Sequence, residues 1–393
     1  MKFKGVDYYN IDELLSDEER MTRNLVREFL EKEVEPLVAD AFHQEKPLNM
    51  KEIAPKMGKL GIISACIPRE YGGEGANYVT FGLICQEVER VDSALRSFIA
   101  VQYGLVGYAI LRFGSEEQKQ KWLPLIARGE KIGCFGLTEP NRGSDVAAME
   151  TVAKKDADGW VINGTKQWIT ESSIADVAVV WARTDEGVRG FLVEPGTEGF
   201  SRAFQSRKGS MRASDVGELG FSDCRVPFAN KLPNVKGLSA PLSCLSQARY
   251  GISWGAIGVA MDCYEVALNY AKEREQFGAS IASYQMVQEK LVNMLIEITK
   301  GQLLVYRLGR LMDEGKASYA HISMAKKNNV AVARMCARTA REILGANGIS
   351  LDFSPIRHVA NIESVYTYEG TDDIHTLILG QDITGISAFR RAL

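Results

Sequence analysis

The chemistry open to this chain is bounded first by what its ligand-type residues do not form. Seven cysteines (Cys66, Cys85, Cys134, Cys224, Cys244, Cys263 and Cys336) are scattered, odd in number and without a CxxC spacing. That pattern predicts reduced, mostly buried thiols. The four histidines, His43, His321, His358 and His375, lie far apart with no HExxH, so no catalytic metal is expected. No GxGxxG follows a strand-like run, which argues against a Rossmann dinucleotide site. Charge and loop chemistry remain. Arg96 carries a planar fork that suits a carboxylate. Glu89 lies seven residues earlier, on the same face if one helix carries both. Residues 135–144, FGLTEPNRGS, form a turn with Pro140 and Gly143, and loop amides and hydroxyls suit an anionic phosphate.

The elements that must position these residues fall into three parts. The length of 393 residues allows two or three domains, and 46% apolar with 25% charged residues is ordinary for a globular chain. A net charge of −3 offers no basic excess, so nucleic acid is not expected as a partner. The longest charge-free stretch, Ser97 to Leu111 between Arg96 and Arg112, is shorter than the roughly 18 to 20 residues of a membrane span, so no integral membrane segment is expected. The N-terminal MKFKGVDYYNIDELL has no apolar run after its lysines and does not read as a secretory signal.

Residues 1–130 read as helical. Ser16 and Glu19 have capping-box spacing, and Met21, Leu25, Val26, Phe29 and Leu30 follow at helical intervals until Pro36. Pro68 and YGGEGAN at 71–77 precede a second helical stretch from about Thr80 into EVERVDSALRS. Residues 131–235 change to strand character. GWVINGTKQWIT places Asn163-Gly164 between two apolar runs, which predicts a hairpin, and DVAVVWART and GFLVEP read as strands of a small barrel or sandwich. Residues 236–393 hold no proline between Leu242 and Ser354. An apolar stripe from Val287 through Leu291, Met294, Leu295, Ile298, Val305 and Leu308 to Leu311 predicts long helices packed as a bundle. The fold class is therefore α with a β insert, an order unlike the alternating strand–helix pattern of a dinucleotide fold.

Five strings carry a resemblance: FGLTEPNRGSD (135–145), WIT (168–170), EREQFG (273–278), ILGANGIS (343–350) and YEGTDDIH (368–375). In order and spacing they resemble the acyl-CoA dehydrogenase family across essentially the whole chain. ERVDSALRS, LSCLSQARYGISWG and YEGTDDIHTLILGQDITGISAF resemble its glutaryl-CoA dehydrogenases most closely. The resemblance implies an N-terminal helical domain, a middle β-barrel domain and a C-terminal four-helix bundle. It also implies FAD, electron-transfer flavoprotein as the electron acceptor, and a homotetramer. The compartment it implies is a bacterial cytoplasm or a mitochondrial matrix after transit-peptide removal.

The same resemblance assigns residues. Glu369 matches the catalytic base, whose task needs a carboxyl with its pKa raised by burial; alone it would read as a solvated loop glutamate. Its amide is implied to hold the thioester oxygen, and Gly370 to allow close substrate approach. Phe135, Leu137 and Thr138 match the flavin-edge segment, and Ser144 a position near pyrophosphate and CoA. Trp168, Ile169 and Thr170 match the flavin-stacking strand, although a strand tryptophan is otherwise usually core. Arg274, Gln285 and the stretch Glu342, Leu344, Gly345 and Ala346 match contacts to FAD across a subunit interface. Thr371 and Phe389 match C-terminal FAD contacts, and Arg249 an arginine near CoA. Arg96, with Ser97 beside it, matches the arginine that takes a distal carboxylate; Glu89 matches the glutamate that tunes it, and Tyr368 the tyrosine of decarboxylating members.

Three departures accompany the match. Ala100 stands where the resembled family has a serine, Asp372 replaces a histidine, and Arg142 replaces a small residue and is expected to be exposed. Decarboxylating oxidation of glutaryl-CoA to crotonyl-CoA is the reading expected. The alternatives are a dehydrogenase or oxidase of another acyl-CoA, a non-decarboxylating glutaryl-CoA dehydrogenase, or a binding protein that kept the fold and lost turnover.

Overall fold

The structure, a computed structural model, describes residues 7–388. Helix α1 (Asp17–Glu33) begins with the expected capping box, Ser16 accepting from the Glu19 amide and Glu19 from that of Ser16. It buries Val26 and Leu30 but leaves Met21 71% and Leu25 46% exposed, so its apolar face is narrower than the spacing suggests. Pro36 sits in the first turn of α2 (Glu35–Gln44), where a missing N–H leaves no bond unmade. After α3 (Met50–Lys59) comes the buried α4 (Tyr78–Val91).

Helix α4 stops at Asp92, which is extended (φ −163°, ψ 144°), and α5 (Ser93–Ile99) starts from it, with the Asp92 carboxylate accepting from the Ala94 amide. Residues 89 and 96 therefore do not share one continuous helix, contrary to the sequence expectation. Helix α5 runs on through a π-helical segment, Ala100–Gly107, into α6 (Tyr108–Phe113), and α7 (Glu116–Ala127) follows. Wide π-helical turns often mark functional positions. The run Ser93–Phe113 is long and apolar enough by length and composition to cross a membrane, because neither Arg96 nor Arg112 interrupts the helix. It is a core helix, with 89% of its most apolar window buried in the protein.

The middle part is one seven-stranded sheet of β1 (Gly133–Gly136), β2 (Val152–Lys155), β3 (Gly159–Thr170), β4 (Val177–Thr184), β5 (Gly187–Val193), β6 (Phe200–Phe204) and β7 (Val216–Pro227). The order is β1-β4-β2-β3-β7-β6, with β5 also paired to β4, a half-barrel whose outer strands do not meet among the described residues. The predicted hairpin at Asn163-Gly164 does not exist. Both residues lie inside the unbroken strand β3, where the register against β7 slips between Ile162 and Gly164. The chain reverses instead between β2 and β3, where the Asp156 amide bonds the Gly159 carbonyl. An Asn-Gly pair serves a bulge as well as a turn, since both need a residue at positive φ; Gly164 is at 144°.

The last part is helical: α8 (Ser239–Glu273), α9 (Gln285–Asp313), α10 (Tyr319–Ile343), α11 (Ser354–Thr367) and α12 (Asp372–Thr384). The predicted stripe on α9 buries Leu291, Met294, Ile298, Val305 and Leu308. Helix α8 spans two cores. Its N-terminal half packs with the first helices, and its second half with α9, α10 and α11. That bridging brings α5, α8, α10 and the 368–371 loop together.

Candidate active site

A cavity of about 1320 Å³ opens where the three parts meet. The sheet contributes Phe135, Trp168, Ile169 and Thr170 to its wall, the loop after β1 Leu137, Thr138 and Ser144, α5 Ser97, α8 Arg249, and the loop before α12 Tyr368, Glu369, Gly370 and Thr371. Thirteen residues singled out from the sequence thus share one cavity, although they are up to 274 positions apart.

The sheet side is shaped by a second irregularity. The β3–β7 register slips again between Gln167 and Ile169, and Trp168 is the bulged residue, at φ 62°. Bulging turns its indole out of the core into the cavity, leaving it 57% exposed. Behind it the buried Lys166 ammonium donates to the Leu137 carbonyl at 3.1 Å and to Glu139 Oε1 at 2.8 Å, fixing the 137–139 loop. Ser97 and Thr170 hydroxyls lie 3.5 Å apart across the α5–β3 junction.

On the helical side the Asp92 break does the positioning. Its Oδ2 accepts from Arg357 Nε at 2.9 Å and Asn361 Nδ2 at 3.0 Å, while Asn361 Oδ1 accepts from the Met211 amide at 2.8 Å. The turn so held aims Arg96 back at Glu89, with Nε donating to Oε2 at 2.9 Å and both side chains fully buried. Glu89 fits because Gly255 of α8 faces it: a Cβ there would stand 1.9 Å from Glu89 Oε2. The other end of the Arg96 guanidinium donates to the Tyr368 hydroxyl. Burial pulls Arg96 down, but Glu89, with Tyr368 and Glu369 adding to it, more than offsets this and holds the guanidinium above its ordinary pKa. Arg96 is consequently not on the cavity wall. It stands one side chain behind it, with Tyr368 between.

Glu369 has a left-handed backbone (φ 55°) and Gly370 follows at φ 97°. The Glu369 Oε2 is buried with no hydrogen-bond partner among the described residues. Burial raises the carboxyl above its usual range, with Arg96, Lys326 and Arg249 opposing. Three successive carbonyls of this loop are captured. Lys326 of α10 donates to those of Tyr368 and Gly370, at 2.5 and 2.6 Å, and Arg249 Nε donates to that of Glu369 at 2.6 Å. The Glu369 N–H has no acceptor among the described residues. A Cβ on Gly370 would meet His375 Nε2 at 3.0 Å and Arg249 Nη2 at 3.2 Å. Gly370→Ala is therefore expected to destabilise the fold by about 1–3 kcal/mol through backbone strain, read as a lower midpoint of denaturant unfolding.

Other singled-out residues lie elsewhere. Arg274, Gln285, Glu342, Leu344, Gly345 and Ala346 gather at one end of the bundle and do not line the cavity. There Lys290 pairs with Glu342 at 3.0 Å and Asn347 bonds Tyr270 at 3.1 Å. Leu344 is buried in the bundle core, backbone included, because its apolar side chain completes the packing of α10. Phe389 falls outside the described residues. Arg142 is half-exposed and turned away from the cavity, bonded to the Ala148 carbonyl and paired with Glu150 at 3.1 Å. Ala100 is buried at the start of the π-helical segment. Asp372 opens α12, where a negative charge suits the helix dipole, and pairs with Lys327.

Sequence reasoning missed Lys326, His375, Arg207 and Lys208. Burial, reinforced by the neighbouring Lys326 and Arg249 charges, pushes His375 down to about 3, so it is neutral. Arg207 and Lys208 bring positive charge to the cavity. Lys326 had one signal: it continues the apolar positions Ile322 and Ala325, which should have marked it as a buried cation.

Sequence profiles cover nearly all of this architecture. The acyl-CoA dehydrogenase N-terminal domain matches residues 16–130, the middle domain 134–224 and the C-terminal domain 235–384. The chain belongs to the acyl-CoA dehydrogenase family. Among its relatives, the mouse short-chain specific acyl-CoA dehydrogenase is 34% identical over 93% of this chain and 90% of its own. A crystal structure of glutaryl-CoA dehydrogenase from Mycobacterium smegmatis superposes with a TM-score of 0.95 at 48% identity, covering 97% of this chain and 98% of that one. A second structure of a Mycobacterium smegmatis glutaryl-CoA dehydrogenase, in complex with FADH2, has a TM-score of 0.95 at 46% identity and the same coverage. The acyl-CoA dehydrogenase architecture thus accounts for the helical, sheet and helical parts described above.

Proposed function

We propose that this acyl-CoA dehydrogenase oxidises and decarboxylates glutaryl-CoA to crotonyl-CoA and CO2, with FAD as its cofactor. The observation that carries the reading is the buried chain Glu89–Arg96–Tyr368, which ends beside Glu369 at the cavity. The two mycobacterial relatives support it. The cavity suits the cofactor: an exposed indole on a strained bulge, apolar Phe135, Leu137 and Ile169, and the hydroxyls of Thr138, Ser144, Thr170 and Thr371. These residues would hold the ring system and the start of its phosphate tail. FAD, when bound, supplies the acceptor for the β-hydrogen and its electron pair.

Glu369 is the base that removes the α-proton. Its raised pKa matches the weak acidity of a thioester α-hydrogen, and its unpartnered Oε2 is free to take the proton. The Glu369 N–H is the protein donor for the thioester oxygen, where charge builds as the proton leaves. Arg249, Arg207 and Lys208 give the cavity the positive charge that the CoA phosphates need. Arg96, acting with Tyr368, stabilises the distal carboxylate. CO2 then leaves from the γ-carbon of the α,β-unsaturated acid, and the resulting dienolate takes a proton at that carbon to become crotonyl-CoA. Electrons pass to electron-transfer flavoprotein. The working form is a homotetramer in which Arg274, Gln285, Glu342, Gly345 and Ala346 of one subunit reach the FAD of another.

A second reading has a specific observation behind it. Tyr368 stands between Arg96 and the cavity, and Ala100 supplies no hydroxyl one helical turn on. A short uncharged acyl chain would use such a wall without moving anything, and the mouse relative bears a short-chain name. Incubating the flavin-loaded protein with glutaryl-CoA and an artificial acceptor separates the two. Crotonyl-CoA with CO2, identified by mass spectrometry, is the expected product. Glutaconyl-CoA alone would end the decarboxylation reading, and turnover of butyryl-CoA but not glutaryl-CoA would favour the short-chain enzyme.

A further inference from the structure

Lys326 is out of place by every local rule. It sits in the middle of α10, on the face that buries Ile322, Ala325, Asn329 and Val330, and it is 2% exposed. An ammonium taken out of water costs several kcal/mol unless it is paired. Yet among the described residues no carboxylate lies within ion-pair distance of it. Its hydrogen bonds go to two neutral backbone carbonyls, those of Tyr368 and Gly370. These flank Glu369, which lines the cavity and holds a left-handed backbone that a glutamate does not adopt readily.

We propose that Lys326 is the positioning residue for the Glu369 base: one ammonium clamps the carbonyls on both sides of Glu369, fixes its left-handed backbone, and holds a compensating positive charge beside its carboxylate. The inference rests on Glu369 being the base. Arg249 completes the clamp by donating to the carbonyl between the two. A turn with all three carbonyls fixed leaves the Glu369 side chain and N–H as the polar groups free to meet a substrate.

The charge matters as much as the bonds. Glu369 is faced by Arg96 from α5, Arg249 and Cys244 from α8, and Lys326 from α10, with Tyr368 beside it and His375 of α12 beyond Gly370. Lys326 itself is faced by Glu369, Arg249, Arg96, Asp372 and the neutral His375. Burial lowers its proton affinity, and the Glu369 carboxylate raises it. The two groups therefore favour each other's charged forms. Protonation of Glu369 when it takes the α-proton withdraws the anion nearest to Lys326, so the pair responds as a unit to the chemical step.

The test is the pH profile of Lys326→Met, a substitution of similar length without charge or donors. With the acyl-CoA that the parent oxidises, kcat is expected to fall at least about tenfold with little change in KM. The acid limb of the kcat profile should move up by about one pH unit, a tenfold change in proton affinity. Bound FAD, read from its absorbance, should stay near the parent's. Lys326→Arg, which keeps the charge, should return the limb toward the parent position. A parent-like acid limb in a Lys326→Met protein that holds FAD overturns the proposal. So does loss of FAD from both Lys326→Met and Lys326→Gln, which would make Lys326 a packing residue. Glu369→Gln run alongside separates this failure from failure of the site reading. If that variant still turns over, the assignment of the base is wrong; if it is inactive while Lys326→Met behaves as the parent, only the role of Lys326 falls.

Discussion

Replacing Glu369 by glutamine is expected to lower turnover by about 10³-fold while FAD remains bound. The substitution keeps the side-chain volume and removes only the capacity to accept a proton. The backbone there is held by Lys326 and Arg249 through carbonyl oxygens, which the substitution leaves untouched. The strained loop should therefore survive, and substrate affinity should change far less than kcat. The parent carries a second signature of the same role. Burial raises the Glu369 carboxyl above the ordinary range and the reaction needs the carboxylate, so the parent's rate should rise with pH through that raised value. Glu369→Gln should lose this limb along with its activity. Stopped-flow flavin bleaching by substrate measures the chemical step directly, and parent-like bleaching would remove Glu369 from the mechanism.

The second large effect is expected from Arg96→Ala, which should act on specificity, stability and pH together. Arg96 acts on the distal carboxylate through Tyr368, and losing one charge-assisted hydrogen bond from that chain costs about 1.5–3 kcal/mol, so kcat/KM for glutaryl-CoA should fall by about 10- to 150-fold more than for butyryl-CoA. Equal losses on both substrates would make Arg96 a structural residue. The variant also strands Glu89, fully buried beside Gly255, and removal of one partner from such a pair costs about 3–5 kcal/mol. Burial already raises Glu89, and Arg96 is the first influence opposing that rise. Without Arg96 the folded state holds a proton on Glu89 that the unfolded chain releases near its ordinary carboxylate pKa. Stability should therefore fall as pH rises above that ordinary value, until the raised folded pKa is passed. Adding Glu89→Gln should abolish this pH dependence and recover much of the stability. If thermal midpoints of the single variant do not depend on pH, Glu89 is not the stranded charge.

The sequence by itself determined the helix, sheet and helix order, because proline spacing and the change of hydrophobic period from helical to alternating are local properties. It also identified most of the cavity wall, since five motifs carry those residues. Local patterns erred where two structures satisfy the same residues. Asn163-Gly164 fits a bulge as well as a hairpin, and the bulge wins because β7 pairs with β3 on both sides of it. Glu89 and Arg96 meet because Asp92 ends one helix and starts another, held by Arg357 and Asn361 from more than 260 residues away. Trp168 faces the cavity rather than the core because a register slip turns it outward. Lys326 was illegible as a site residue because its partners are backbone carbonyls, which carry no sequence signature. Side-chain type and spacing set which elements form. Only the packing of α5, α8, α10 and the 368–371 loop against one another decided where Arg96, Arg249, Lys326 and Glu369 would be buried, and burial of its own carboxyl is what raises the Glu369 pKa against the three cations.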